Sequence, residues 1–274
     1  MDNNLCIDDK VFDKIIRYKL KNGLKINIFQ KKNLNKKIFM LIVNSGGYYN
    51  KISGLAHLME HYISHSFQNI NKENNININY FLTKINTENL LTRYLYCYDN
   101  NDFKNIKFKD ILELFCKTIN IKELDEKIID IEKERIDIEF NLTFLNNSMI
   151  LLEEQFIDEY NFKNGCGNKQ TFNIKNLKQE LTDYYNFFYN SNNMELFIID
   201  NEPLNIIKQY IKCFEQIKPF NKDLNKNSKF YINLYNKSFY NYSSIFKNNI
   251  FKINVKNLND INLIYSINNK YLFI

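Results

Sequence analysis

The stretch Gly54-Leu55-Ala56-His57-Leu58-Met59-Glu60-His61-Tyr62-Ile63 constrains this chain more than any other. The protein has three histidines in all, and two of them stand here four residues apart with Glu60 between them. Four residues is about one helical turn, so His57 and His61 share a face, and Glu60 overhangs the same side. The third, His65, falls on the same stripe. Both imidazoles can therefore converge on one ion. Two neutral imidazoles, a water in an open position and a carboxylate to take that water's proton make up the layout of a catalytic zinc site. The competing description is a solvated helix face. The mostly apolar flanks, Leu55, Ala56, Leu58, Met59, Tyr62 and Ile63, argue instead for a buried helix.

Composition excludes several alternatives. A chain of 274 residues can bury a sizeable core in one or two domains, and 45% apolar with 25% charged residues is ordinary for a soluble globular protein. No apolar run reaches the length of a membrane span. The start, Met1-Asp2-Asn3-Asn4-Leu5-Cys6, lacks the basic-then-apolar order of a secretory signal, so a cytoplasmic protein is expected. The net charge of +6 is spread along the chain rather than gathered into a patch, so no nucleic-acid partner is expected. The abundance of Asn, Lys, Ile, Tyr and Phe reads as codon bias from an AT-rich genome. Five cysteines, odd in number and without short spacings, indicate neither a disulfide framework nor a thiolate metal site.

In chain order, Tyr18 to Phe29 alternates apolar and polar residues around Asn22-Gly23, which predicts a hairpin. Ile38–Val43 is continuously apolar and predicts a central strand, ending at Ser45-Gly46-Gly47. Residues 69–79, rich in Asn, are expected to form a surface loop. Thr87–Tyr98 is expected to be a strand with its aromatics on one face, and 108–156 to be helical. Asn173–Asp200 predicts a helix followed by a strand, and Leu204–Gln216 a further helix. A polar linker around Pro219 leads to strand-like segments at Phe230–Leu234, Ile250–Val255 and Ile261–Ile267.

The run Gly54-Leu55-Ala56-His57-Leu58-Met59-Glu60-His61 resembles the motif of the M16 metallopeptidases, the pitrilysin, insulinase and processing-peptidase family. So does its setting: Leu20-Lys21-Asn22-Gly23-Leu24 before it, a central strand ending in glycine, and a later block with Tyr189, Asn193, Met194, Leu196 and Asp200. The resemblance covers about residues 17–216 and includes the poxvirus branch, for which a virion location would follow. It implies an α+β fold, a mainly antiparallel sheet with helices packed on one face, followed by the start of a second, incomplete repeat. The domains implied are 1–216 as the zinc-binding domain, 217–228 as linker and 229–274 as the beginning of a second M16-like half.

The activity implied is zinc-dependent endopeptidase cleavage of peptides or precursor proteins, with Glu60 as the catalytic base. Zn2+ would sit on His57, His61 and a downstream glutamate. Glu139 matches the expected separation and the Glu-x6-Glu spacing with Glu132, which would then stand behind the ligands. Other alignments of this stretch place Glu134 or Asn141 in the ligand position. The family binds substrate backbone along an edge strand; here Lys84-Ile85 stands where Asn-Ala is usual. M16 peptidases close as a clamshell, so a second M16-type subunit supplying Arg and Tyr side chains is expected as partner. The alternative is a non-catalytic M16 subunit that binds peptides.

Overall fold

The structure, a computed structural model, describes residues 5–7, 11–34, 36–47, 52–76, 82–88, 90–99, 107–144, 165–220, 242–246 and 249–253. The chain divides into two compact units, 1–230 and 231–274.

In the first unit, the strands are β1 (Leu5–Ile7), β2 (Lys14–Lys19), β3 (Lys25–Gln30), β4 (Lys36–Val43), β5 (Leu82–Thr87), β6 (Thr92–Asp99) and β7 (Met194–Asp200). They form one sheet in the order β1-β2-β3-β7-β4-β6-β5. Every pairing is antiparallel except β3 with β7. The helices are α1 (Leu55–Glu73), α2 (Phe108–Ile119), α3 (Glu126–Glu139), α4 (Leu177–Phe188) and α5 (Leu204–Ile211). This is the expected α+β architecture.

The β2–β3 hairpin turns at Asn22-Gly23, where Gly23 takes a positive φ of 94° and its N–H donates to Leu20 O at 2.9 Å. Strand β4 lies inside the sheet between β7 and β6, as its apolar run predicts. Its burial nevertheless alternates: Phe39, Leu41 and Val43 are fully buried, while Ile38, Met40 and Ile42 are only partly covered. The helices therefore bury one face of the sheet. An aromatic cluster ties the layers together. The Phe115 ring of α2 lies 5.2 Å from Phe39, 5.3 Å from Tyr96 and 5.4 Å from Phe67, drawing together β4, β6, α1 and α2.

Four boundaries differ from expectation. The helix α1 runs on to Glu73 instead of giving way to a loop at 69, because Phe67 and Asn71 are buried; the Asn71 amide donates back to Phe67 O at 2.6 Å. Residues 77–79 of that expected loop lie outside the described residues. The stretch 87–98 is a hairpin end rather than one strand: Thr87 closes β5 and pairs with Thr92 of β6. The aromatics Tyr94, Tyr96 and Tyr98 do share one buried face, but β6 is internal and, among the described residues, β5 is the edge. The helical region from 108 breaks between α2 and α3, where the Asp125 carboxylate caps α3 by accepting from Lys127 N at 2.9 Å. Its part beyond 144 lies outside the described residues. Finally, α5 ends at Ile211 and tightens into a 3-10 turn, Lys212–Gln216.

In the second unit, β8 (Tyr242–Phe246) and β9 (Asn249–Ile253) form an antiparallel pair. β9 covers most of the expected strand at 250–255, while the expected strands at 230–234 and 261–267 lie outside the described residues. Among the described residues, no helix is long and apolar enough to cross a membrane.

Asp200 closes β7 with no exposed surface. It pairs with Lys37 Nζ at 3.0 Å and accepts a hydrogen bond from Tyr210 Oη, fastening α5 to the sheet. Removing it leaves the Tyr210 hydroxyl without its acceptor and leaves the buried Lys37 ammonium with Glu202, at 3.1 Å, as its remaining carboxylate. Asp200→Ala is expected to lower unfolding free energy by about 1–3 kcal/mol in urea titration, more than an exposed Asp→Ala.

Candidate metal centre

The site is built where α1 passes α3. The two helices are fastened by Tyr62, whose hydroxyl accepts the Asp125 N–H at 2.8 Å and so fixes where α3 begins. Glu132 and Glu139, seven residues apart, then both face the histidine stripe of α1. The start of α1 is fixed from the other side. Gly54 precedes it at φ 80°, and a Cβ there would fall 2.4 Å from Gly167 Cα and 2.5 Å from Cys166 O. Gly167 also has positive φ, 71°. These two glycines let residues 165–167 lie against the first turn of α1.

The side chains are placed as follows. His57 Nδ1 is 3.0 Å from the Cys166 carbonyl, which can only accept, so Nδ1 carries the proton and Nε2 keeps its lone pair. His61 Nδ1 is 3.0 Å from Glu132 Oε2 and donates in the same way. Both Nε2 atoms look toward Glu139 Oε2, at 3.7 Å from His57 and 3.4 Å from His61. The ligand atoms of His57, His61 and Glu139 all lie within 4.8 Å of one another. Glu60 stands beside them, its Oε2 3.9 Å from His57 Nε2 and accepting from Thr87 Oγ1 at 3.2 Å.

The arrangement separates the carboxylates that the sequence leaves undecided. Glu139 meets the imidazoles. Glu134 points away and pairs with Lys169 at 2.7 Å, and Asn141 turns back to Asp137 O at 2.7 Å. Glu132 is only 1% exposed and stands behind His61 rather than beside the lone pairs. Sequence reasoning missed Thr87, Cys166 and the glycine contacts. A backbone carbonyl carries no residue signature, and Thr87 meets Glu60 only because the β5–β6 hairpin brings it there.

Electrostatics follow from burial. Glu60 is 6% exposed, and desolvation raises its pKa, opposed by His57, His61 and the Thr87 hydroxyl. Burial likewise raises Glu132, but hydrogen bonds from His61 and His65 and the Arg135 charge outweigh it and leave the carboxyl below its ordinary value. Contact with His61 lowers Glu139 against the opposing effect of burial. Burial pulls His61 down, yet the contacts with Glu132 and Glu139 push it up to about 9.

The residues fit a zinc ion. Ligand atoms about 2.0–2.1 Å from a tetrahedral centre stand about 3.3–3.4 Å apart, close to the 3.4 and 3.7 Å found here. Two Nε2 lone pairs and one carboxylate oxygen are also the donor set of many hydrolytic zinc sites. Each imidazole further has its Nδ1–H engaged by an oxygen, as metal-ligating histidines require.

With the geometry in hand, the fold can be placed: it is the fold of M16-like peptidases. The chain is similar to pitrilysin (TM-score 0.63, 19% identity, covering 75% of this chain and 23% of that one). It is also similar to the first half of the periplasmic protease PqqL from Escherichia coli (TM-score 0.62, 16% identity, 83% and 50%). A protein from Alicyclobacillus acidocaldarius described as M16-like also matches (TM-score 0.58, 16% identity, 76% and 51%). The chain thus spans between about a quarter and a half of these structures. No protein-family model and no curated protein matches the sequence.

Two outcomes are expected. Gly54→Ala forces a positive φ on a Cβ that meets backbone, so it should cost at least about 1–2 kcal/mol and lower the melting temperature. Below about pH 9, a proton and a metal compete for His61 Nε2. Zinc affinity should therefore rise about tenfold per pH unit and level off above that point, measured by chelator competition.

Proposed function

We propose that the chain is the zinc-binding domain of an M16-type endopeptidase. The observation that carries this reading is the convergence of His57 Nε2, His61 Nε2 and Glu139 Oε2 with Glu60 beside them, on a fold shared with M16-like peptidases. His57, His61 and Glu139 would hold the ion. When bound, zinc supplies Lewis acidity, activating a water and polarising the scissile carbonyl.

The protein's own groups do the rest. Glu60 accepts the proton of the attacking water and hands it to the leaving amine. Its raised pKa favours that exchange near neutrality, because a carboxylate held at its ordinary acidity would bind the proton too weakly to pass it on. Thr87 donates to Glu60 Oε2 and fixes its direction.

Thr87 also closes β5, the last strand of the sheet among the described residues. A peptide added along that edge through main-chain hydrogen bonds would pass beside Glu60, which supports peptide or precursor protein as substrate. Main-chain recognition tolerates many sequences, so selection among substrates falls to side-chain pockets.

The residues that steady the oxyanion would come from a second M16-type half in a partner subunit, the far side of the clamshell. What supports a second half is the likeness to the first half of PqqL, of whose length the chain spans 50%. In this reading 217–228 is a linker and 229–274 begins a second half.

The test is zinc stoichiometry and peptide hydrolysis on the same preparations. Glu60→Gln should keep its zinc and lose hydrolysis by about 10²–10⁴-fold. His57→Ala should lose the zinc. Hydrolysis that survives Glu60→Gln overturns the assignment of the base. Zinc binding without hydrolysis in any combination of subunits favours the peptide-binding, non-catalytic reading. Strong turnover by the isolated chain removes the need for a partner.

A further inference from the structure

The stripe on α1 carries a third histidine that the proposed reaction does not use. His65 lies one turn beyond His61, and its Nδ1 is 2.5 Å from Glu132 Oε1. The other oxygen of the same carboxylate, Oε2, is 3.0 Å from His61 Nδ1. Arg135 Nη1 reaches Oε1 at 2.6 Å, from an exposed side chain on α3 itself. One buried carboxylate thus accepts from two successive histidines of α1, one on each oxygen.

We propose that His65 is a positioning residue for the metal centre: it pins Glu132 Oε1 so that Oε2 is aimed at His61 Nδ1, which keeps the His61 Nε2 lone pair turned toward Glu139. The inference rests on the zinc reading above and concerns a residue outside its ligand set.

The physical case is rotational. A glutamate side chain on a helix has three free torsions, and a hydrogen bond to one oxygen leaves the carboxylate able to turn about its last bond. A second donor on the other oxygen removes that turn. Arg135 cannot do this alone, because its guanidinium sits on the same helix as Glu132, three residues away, and moves with it. His65 and His61 share α1, so the pair of contacts makes the carboxylate a rigid brace between the two helices. Partners of this kind change metal affinity by about 10–100-fold when removed.

The experiment measures zinc affinity by chelator competition, with the metal-free melting temperature as a folding control. His65→Leu should weaken zinc binding about tenfold. His65→Asn, which places an amide N–H where Nδ1 stands, should recover most of that loss. His65→Gln places its amide near Nε2 instead and should not, so the Asn and Gln pair carries the test if the leucine variant fails to fold. In a Glu132→Gln background, His65→Leu should cause no further loss, because the effect passes through that carboxylate. A purely structural role would instead lower the melting temperature and add to the Glu132 effect.

If the wild type binds no zinc, the zinc reading falls and this inference with it. If the wild type binds zinc and His57→Ala abolishes it while the His65 variants bind as tightly as wild type, only the role of His65 is overturned.

Discussion

The pairing of Glu132 with the histidine face of α1 is the interaction on which the rest of the site depends. A carboxylate that is 1% exposed can remain ionised only if every desolvated oxygen is repaid by donors, and here His61, His65 and Arg135 provide them. The contact sets the spacing and rotation of α3 against α1. It therefore also decides where Glu139, two turns further along, can reach. Tyr62 at the beginning of α3 supports the same alignment from the other end.

Four glutamates close in sequence or space take different roles because their surroundings differ. Glu60 is 6% exposed, so desolvation disfavours its charged form against the opposing pull of the two imidazoles and the Thr87 hydroxyl, which suits proton transfer. Glu132 is held ionised by three donors. Glu139 is about half exposed and faces the imidazoles, so the cluster opens to solvent on its side. Glu134, on the outer face of the same helix, forms a solvated ion pair with Lys169 that contributes little to stability.

The glycine contacts at the start of α1 act on the same site from below. Gly54 and Gly167 admit backbone against backbone, and that approach delivers the Cys166 carbonyl to His57. The two imidazoles are thus oriented by different means, one by a main-chain oxygen and the other by a buried side chain. Their rings meet edge to face, with centroids 4.5 Å apart. The core behind them is aromatic, and Phe39, Phe67, Tyr96 and Phe115 hold α1 and α2 against the sheet.

Much of this was legible in the amino-acid order. The motif around His57 and His61, the Asn22-Gly23 hairpin, the interior strand at 38–43 and the α4–β7 unit all depend on neighbours a few residues apart. Periodicity and turn chemistry report such neighbours directly. The boundaries failed where burial in the folded chain, or pairing across a short turn, overrode the preference of the residues themselves. Buried Asn71 carries α1 into an asparagine-rich stretch that looks like loop, and the 87–98 segment folds back because Thr87 pairs with Thr92. Sequence alone determined that two imidazoles and a carboxylate share one helical face, since the helix repeat leaves them no other arrangement. Only the tertiary structure decided which of Glu132, Glu134, Glu139 and Asn141 meets them, because all four lie within ten residues on one helical stretch, and the choice depends on the rotation at which α3 packs against α1.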